Sequence, residues 1–238
     1  MGKPDTPEPR NPPAAADQRM IKLGLTGGIA CGKSVVAEIL RGMGYPVLDA
    51  DSLAHHLMEP GQPAHREVLQ EFGEEVASPS GWINRKTLGE IVFGNSERLA
   101  KLNGIVHPRV AEAMQQRFAD WERVGREIVF VEAALILEAG FDKQLDGVVV
   151  AWCRPEQQLQ RLLARGLNED EAVQRIASQL PLEKKKELAS ELIDCSGTME
   201  DTQRQIKEMI KRVRLRKLRG WDKDKAHGRA GKKMPSPA

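Results

Sequence analysis

An α/β fold, a parallel sheet flanked by helices, is predicted by three observations. Short apolar, β-branched runs recur along the chain, separated by stretches with helical spacing of apolar residues. The first run passes through a glycine-rich loop directly into a helix. One long helical stretch then divides the remaining runs, and strand–helix alternation of this kind indicates a sheet covered by helices.

The first run, Ile21-Lys22-Leu23-Gly24-Leu25-Thr26, reads as a buried strand. Gly27-Gly28-Ile29-Ala30-Cys31-Gly32-Lys33-Ser34 follows, a complete G-x-x-x-x-G-K-S pattern, and the next residues carry a helix to about Met43, with Gly42 and Gly44 as stop signals. Gly27 and Gly32 permit backbone angles and close approaches that a side chain would obstruct. Successive backbone N–H groups then converge on phosphate oxygens at the positive end of the helix. Lys33 reaches the β- and γ-phosphates, and the Ser34 hydroxyl is the expected Mg²⁺ ligand. The expected nucleotide contacts are Gly27, Gly28, Ala30, Cys31, Gly32, Lys33, Ser34 and Val35. The complete pattern between strand and helix outweighs the alternative of an incidental turn.

Residues 46–51 read as a second strand, placing Asp49 and Asp51 on one side. Ligands of open α/β sheets bind beyond the carboxyl ends of strands, where Asp51 falls. The competing reading is a cap: Asp51 or Ser52 bonding the first N–H groups of a helix that begins at Leu53. Spacing alone does not choose between them.

Residues 52–125 are mainly helical and read as a substrate-holding insertion; they include Leu102-Asn103-Gly104-Ile105-Val106-His107-Pro108-Arg109. The histidines show no H-E-x-x-H arrangement, so no metal is assigned to them, and His107 taken alone reads as structural. Ile128–Glu132 is an apolar run ending in a carboxylate, the position of a second acidic element that contacts Mg²⁺ directly or through water; Glu138 is nearby. Gly147–Ala151 is the next strand, and Pro155 opens a helix. Arg161 and Arg165 share one face of that helix, an arrangement suited to a transferring phosphoryl group, or else a solvated basic face. The break at Gly166–Asp170 fits a mobile lid over about 161–180. Glu191–Asp194 is the last strand, and a final helix runs from Thr198 past Val213.

With 40% apolar and 29% charged residues, the 238-residue chain is of globular type, and no apolar run is long enough to span a bilayer. The start of the sequence shows no signal-peptide core, so a cytoplasmic protein without membrane partners is expected. Cys31, Cys153 and Cys195 form no C-x-x-C pair and fit a reducing compartment; a redox role for Cys31, near a helix N-terminus, is the lesser reading. Residues 1–19 hold five prolines and read as a disordered extension. Residues 211–238 carry eleven Lys/Arg against two acidic residues, so a charge of +9 there is set against −7 elsewhere. A basic flexible tail over 215–238 is expected, and nucleic-acid binding by it is weaker than a solvated extension because no folded nucleic-acid motif accompanies it.

From about Ile21 to Val213 the sequence resembles the dephospho-coenzyme A kinase family. The resemblance rests on the T-G-G-I-x-x-G-K-S loop, Leu48-Asp49-Ala50-Asp51, Pro60-Gly61, Leu102-Asn103 with His107-Pro108, Gln158-Leu159 with Arg161 and Arg165, Arg175, Gln179-Leu180-Pro181, and Lys185 or Lys186. It implies a P-loop kinase domain over 20–214, with a nucleotide core at about 20–51 and 126–214, the helical acceptor insertion and the lid. It implies transfer of the γ-phosphoryl group of ATP, with Mg²⁺, to the ribose 3′-hydroxyl of dephospho-CoA, by a protein read as monomeric. Asp51 becomes the base or positioning carboxylate, Lys33, Arg161 and Arg165 the charge-stabilising residues, and Asp51, His107 and Arg109 the acceptor contacts. Glu132 is a further candidate at Mg²⁺. Val35 departs from the family pattern, where threonine is common, and so does the segment Glu132–Glu138.

A nucleoside or nucleotide kinase is the competing enzyme, since it shares the loop and lid arginines. A GTP-dependent switch fits poorly: Asp194-Cys195-Ser196-Gly197 matches D-x-x-G, but no Asn-Lys dipeptide begins a guanine-reading motif.

Overall fold

Five strands pair in parallel, in the order β2-β3-β1-β4-β5, with β1 Ile21–Gly27, β2 Val47–Asp49, β3 Ile128–Glu132, β4 Gly147–Trp152 and β5 Glu191–Asp194. The computed structural model describes residues 19–92, 94–219 and 221. The central strand β1 pairs with β3 from Ile21↔Ile128 and with β4 from Leu23↔Gly147. This register brings the carboxyl ends of β1, β3 and β4 together at one edge.

Alternation along each strand divides the core in two. Ile21, Leu23, Leu25, Phe130, Val149 and Ile193 face one layer, where they pack with Val36, Leu40, Ile206 and Met209. These last come from α1 (Lys33–Gly42) and α9 (Met199–Leu218). Val129, Val131, Val148 and Val150 face the other, against Val106, Val110, Met114 and Phe118 of α5 (Ser96–Arg123). Each fully buried aliphatic side chain stabilises the fold by about 1.5–3 kcal/mol relative to exposure.

Between β2 and β3 lie α2 (Ala50–Leu57), α3 (Pro63–Phe72), α4 (Arg85–Val92) and α5. Val68, Phe72, Val76, Leu88 and Val92 give this stretch its own small core. Pro108 lies within α5 and cannot donate to the carbonyl of Gly104. After β4 come α6 (Pro155–Leu163), α7 (Glu169–Ala177) and α8 (Leu182–Leu188). Asn168 and Glu171 form a capping box at α7, as do Thr198 and Asp201 at α9.

Three boundaries differ from expectation. The second strand stops at Asp49, and α2 begins at Ala50, before the expected Leu53. Asp49 itself is the cap, its carboxylate accepting from Ser52 N at 2.9 Å and Ser52 Oγ at 2.8 Å, so neither Asp51 nor Ser52 fills that role. Residues 215–218 belong to α9 and not to a flexible tail, and the Trp221 indole donates to Asp146 O at 2.9 Å. Arg19, assigned to the disordered extension, pairs with Asp146. Part of the basic C-terminal charge is internal: Arg212 and Arg216 neutralise Glu191, which is 5% exposed. The rest of the two expected extensions, and any nucleic-acid binding by the tail, lies outside the described residues.

Candidate active site

The loop between β1 and α1 has no room for side chains at two glycines. A Cβ on Gly27 would lie 2.3 Å from the backbone oxygen of Ala151, and one on Gly32 would lie 2.9 Å from Cys195 Cβ, at a φ of +96°. Ala30 also adopts positive φ, at 59°. The loop is held from several elements. Gln158 Nε2 donates to Ile29 O at 2.9 Å, Gln179 Oε1 accepts from Ile29 N at 2.9 Å, and Arg161 Nη1 donates to Ala30 O at 3.3 Å. Lys185 Nζ donates to Gly27 O at 3.3 Å.

Lys33, at the start of α1, donates to Glu132 Oε1 at 2.9 Å, and Arg41 donates to the other oxygen at 2.9 Å. Glu132 is 4% exposed, so two cations share one buried carboxylate. The acidic element expected near Mg²⁺ is here an ion-pair partner of Lys33 and Arg41. Ser34 is exposed in the first turn of α1. Among the described residues no group of three or more His, Cys, Asp or Glu side chains is placed to hold a metal. Mg²⁺ in nucleotide sites keeps several waters and binds substrate phosphates, and the hydroxyl that follows the loop lysine, here Ser34, is of the type that supplies one protein ligand.

A cavity of about 690 Å³ opens between the sheet edge and the helical insertion, with Asp51, Asn103, His107, Glu138 and Phe141 in its wall. Asp51 Oδ2 accepts from the backbone N–H of Ala134 at 3.1 Å. The carbonyl of the same residue accepts from Thr26 Oγ1 at 3.0 Å and Lys185 Nζ at 3.2 Å. Lys185 is fully buried and pairs with Glu138 at 2.8 Å, and Glu138 also accepts from Leu180 N at 3.0 Å. A continuous set of polar contacts therefore joins the start of the phosphate loop, the segment after β3, and Asp51.

His107 lies with its ring 5.2 Å from that of Phe141, and burial pushes its pKa down, which favours the neutral imidazole. Burial opposes ionisation of Asp49, but the Ser52 hydrogen bonds and the charge of Lys33 prevail and hold its pKa below 3.8. Arg109 is not brought to the cavity. Its guanidinium pairs with Glu67 at 2.6 Å and Glu112 at 3.4 Å, tying α5 to α3.

A second cavity, about 300 Å³, lies on the other side of the loop and is lined by Ala30, Gly32, Val35, Arg161, Arg165 and Cys195, among others. The two arginines have different surroundings. Arg161 donates to Ala30 O and to Cys195 O at 2.9 Å, whereas Arg165 keeps an exposed guanidinium.

The structure thus brings together the loop residues, Asp51 with His107, and the two arginines, but not Arg109. Residue spacing gave no role to Lys185 and Glu138, although Lys185 stood in the family pattern. The Ala134 contact is made by backbone, which leaves no trace in residue identity.

The family model for dephospho-CoA kinase matches residues 21–201. The dephospho-CoA kinase of Carboxydothermus hydrogenoformans is 40% identical over 202 residues, covering 84% of this chain and 97% of that protein. That of Geobacter metallireducens is 44% identical over 188 residues, 79% of this chain and 94% of that protein. A Thermus thermophilus crystal structure superposes with a TM-score of 0.72 at 34% identity, covering 82% of this chain and 98% of that one. Dephospho-CoA kinase from Campylobacter jejuni gives 0.61 at 27% identity, with 81% and 96% covered. No helix among the described residues is long and apolar enough to cross a membrane.

Proposed function

The chain belongs to the dephospho-CoA kinase family, and we propose that it transfers the γ-phosphoryl group of ATP to the ribose 3′-hydroxyl of dephospho-CoA, with Asp51 facing that hydroxyl. The observation that carries this reading is the position of Asp51: it lines the larger cavity while its other face is fixed by Ala134, one contact away from the strand that feeds the phosphate loop.

In this reading the acceptor occupies the larger cavity and ATP the loop and the smaller cavity. Asp51 accepts the hydroxyl proton as the ribose oxygen bonds to the γ-phosphorus and the bond to the β-phosphate oxygen breaks. Lys33 exchanges its contact with Glu132 for phosphate oxygens, and Glu132 keeps Arg41 as its counter-ion. Arg165 supplies charge to the transferring group. Arg161 acts as a positioning residue, because both of its terminal nitrogens hold backbone carbonyls. Ser34 would hold Mg²⁺, which supplies charge neutralisation at the phosphates when bound. His107 offers the acceptor a neutral hydrogen-bonding group. A monomeric enzyme acting in the cytoplasm is part of the same proposal.

The test is ADP release with dephospho-CoA, adenosine, AMP or CMP as acceptor, followed by ³¹P NMR of the product. The reading predicts a strong preference for dephospho-CoA and a 3′-phosphomonoester. Preferred phosphorylation of AMP or CMP, or an ester elsewhere, contradicts it. The family match disfavours that nucleotide-kinase outcome.

A further inference from the structure

The three cysteines, at 31, 153 and 195, meet beneath the phosphate loop. Cys31 Sγ and Cys153 Sγ are 3.3 Å apart, in residues 0% and 1% exposed. Their surroundings differ in stiffness. Cys153 directly follows β4, which is hydrogen-bonded to β1 on one side and β5 on the other. Cys31 belongs to the loop itself, where its N–H donates to Gly28 O at 3.0 Å. Its sulfur lies so close under the loop that a Cβ on Gly28 would come within 2.9 Å of it.

We propose that Cys31 and Cys153 are an oxidisable thiol pair, a modification site at which hydroperoxides lock the phosphate loop in a disulfide form that binds nucleotide poorly. A disulfide requires the sulfurs to close to about 2.05 Å. The sheet anchors Cys153, so the displacement falls on the loop. Ile29 and Ala30, beside Cys31, are bonded to Gln158 and Arg161, which passes the strain on to the groups around the nucleotide. A displacement of about 1 Å in groups that position a reacting ligand costs roughly a hundredfold in rate.

The chemistry distinguishes the two sulfurs. The Cys153 S–H donates to Cys31 Sγ, and this contact lowers the Cys31 pKa against the opposing effect of burial. The same contact raises the Cys153 pKa, while burial pushes Cys195 up to about 12. Cys31 also lies directly before Gly32, the N-terminal cap of α1, where the helix dipole favours a thiolate, so it is the sulfur that is oxidised first. It takes the terminal oxygen of the hydroperoxide as the O–O bond breaks, giving a sulfenic acid and an alcohol. The Cys153 sulfur then attacks Cys31 Sγ, and the hydroxyl leaves as water with the Cys153 proton. Two thiols lose two electrons and two protons, and one hydroperoxide is reduced to alcohol and water. Ala30 and Gly32, on either side of Cys31, line the smaller cavity together with Cys195, so a bound nucleotide covers the approach.

The experiment treats the full chain with hydrogen peroxide, with and without ATP, and reads non-reduced peptides by mass spectrometry beside binding of a fluorescent ATP analogue. Because both readouts are independent of the acceptor, a failure of the dephospho-CoA assignment leaves the test intact. The expected result is a Cys31–Cys153 linked peptide, a loss of nucleotide affinity of about tenfold or more reversed by dithiothreitol, and slower linkage with ATP bound. Cys153→Ala should bind the analogue normally and keep its affinity through the treatment, while Cys195→Ala, whatever its own affinity, should still form the Cys31–Cys153 linked peptide. A linkage to Cys195 instead, absence of any linked peptide while affinity falls, or equal loss in Cys153→Ala overturns the proposal.

Discussion

Lys185 Nζ lies 2.8 Å from Glu138 Oε1 in a lysine with no exposed surface. Its remaining contacts are the carbonyls of Gly27, at the head of the phosphate loop, and Ala134, whose N–H holds Asp51. One ammonium therefore ties the phosphate loop and, through Ala134, the Asp51 carboxylate into a common frame. Removing one member of a buried pair leaves the other uncompensated. The Glu138 side chain is 22% exposed, so Lys185→Met should cost about 3 kcal/mol, the low end for such pairs. Urea unfolding measures this, and Glu138→Gln in the same protein should recover a measurable part of the loss. Unchanged stability in Lys185→Met contradicts the assignment.

Arg161 and Arg165 should separate kinetically. Arg161→Lys replaces a two-pronged group, bonded to the carbonyls of Ala30 and Cys195, by a single point charge. It should raise KM for ATP about tenfold and lower kcat less, as a loss of loop positioning. Arg165→Ala should lower kcat about a hundredfold with little change in KM for ATP, as a loss of transition-state charge stabilisation. Steady-state kinetics with ATP varied decides, and identical profiles for the two variants contradict the division.

On α5, His107→Ala should raise KM for dephospho-CoA about tenfold with kcat nearly unchanged. Arg109→Ala should leave that KM within about twofold and barely move the unfolding midpoint, as exposed ion pairs contribute little. An Arg109 variant that loses acceptor affinity would contradict the placement of its guanidinium on Glu67 and Glu112.

Asp49→Ala removes the cap of α2 and should cost about 1 kcal/mol at neutral pH. The folded Asp49 pKa is depressed, so its contribution is present above the unfolded value and is lost as pH falls through the folded one. The stability gap between parent protein and variant should therefore be constant near neutrality and close only at pH below 3.8. A gap that widens on acidification contradicts that sign.

The phosphate loop and the succession of strands along the chain are legible because both are local patterns: a fixed glycine spacing, and apolar runs of strand length; their order within the sheet is not. What escaped depended on long-range register or on backbone. Cys31 and Cys153 look unrelated along the chain, but β1 and β4 are neighbours, with Gly27 opposite Ala151, so the residues just beyond both strands meet. His107 and Arg109 were grouped by sequence, yet two positions on a helix differ by about 200° around its axis, so one reaches the cavity and the other reaches α3. Asp51 was ambiguous between cap and site because the cap proved to be Asp49, two residues earlier.

The central claim is that Asp51 serves the acceptor and not the nucleotide, and Asp51→Asn tests it most directly. The amide oxygen can still accept from Ala134 N–H, so the local structure is retained, while the proton acceptor is lost. With dephospho-CoA as substrate, kcat should fall by about 10²–10⁴-fold, and ATP affinity by titration should change less than about twofold. Near-normal turnover, or a loss of ATP binding that matches the loss of rate, would contradict the account.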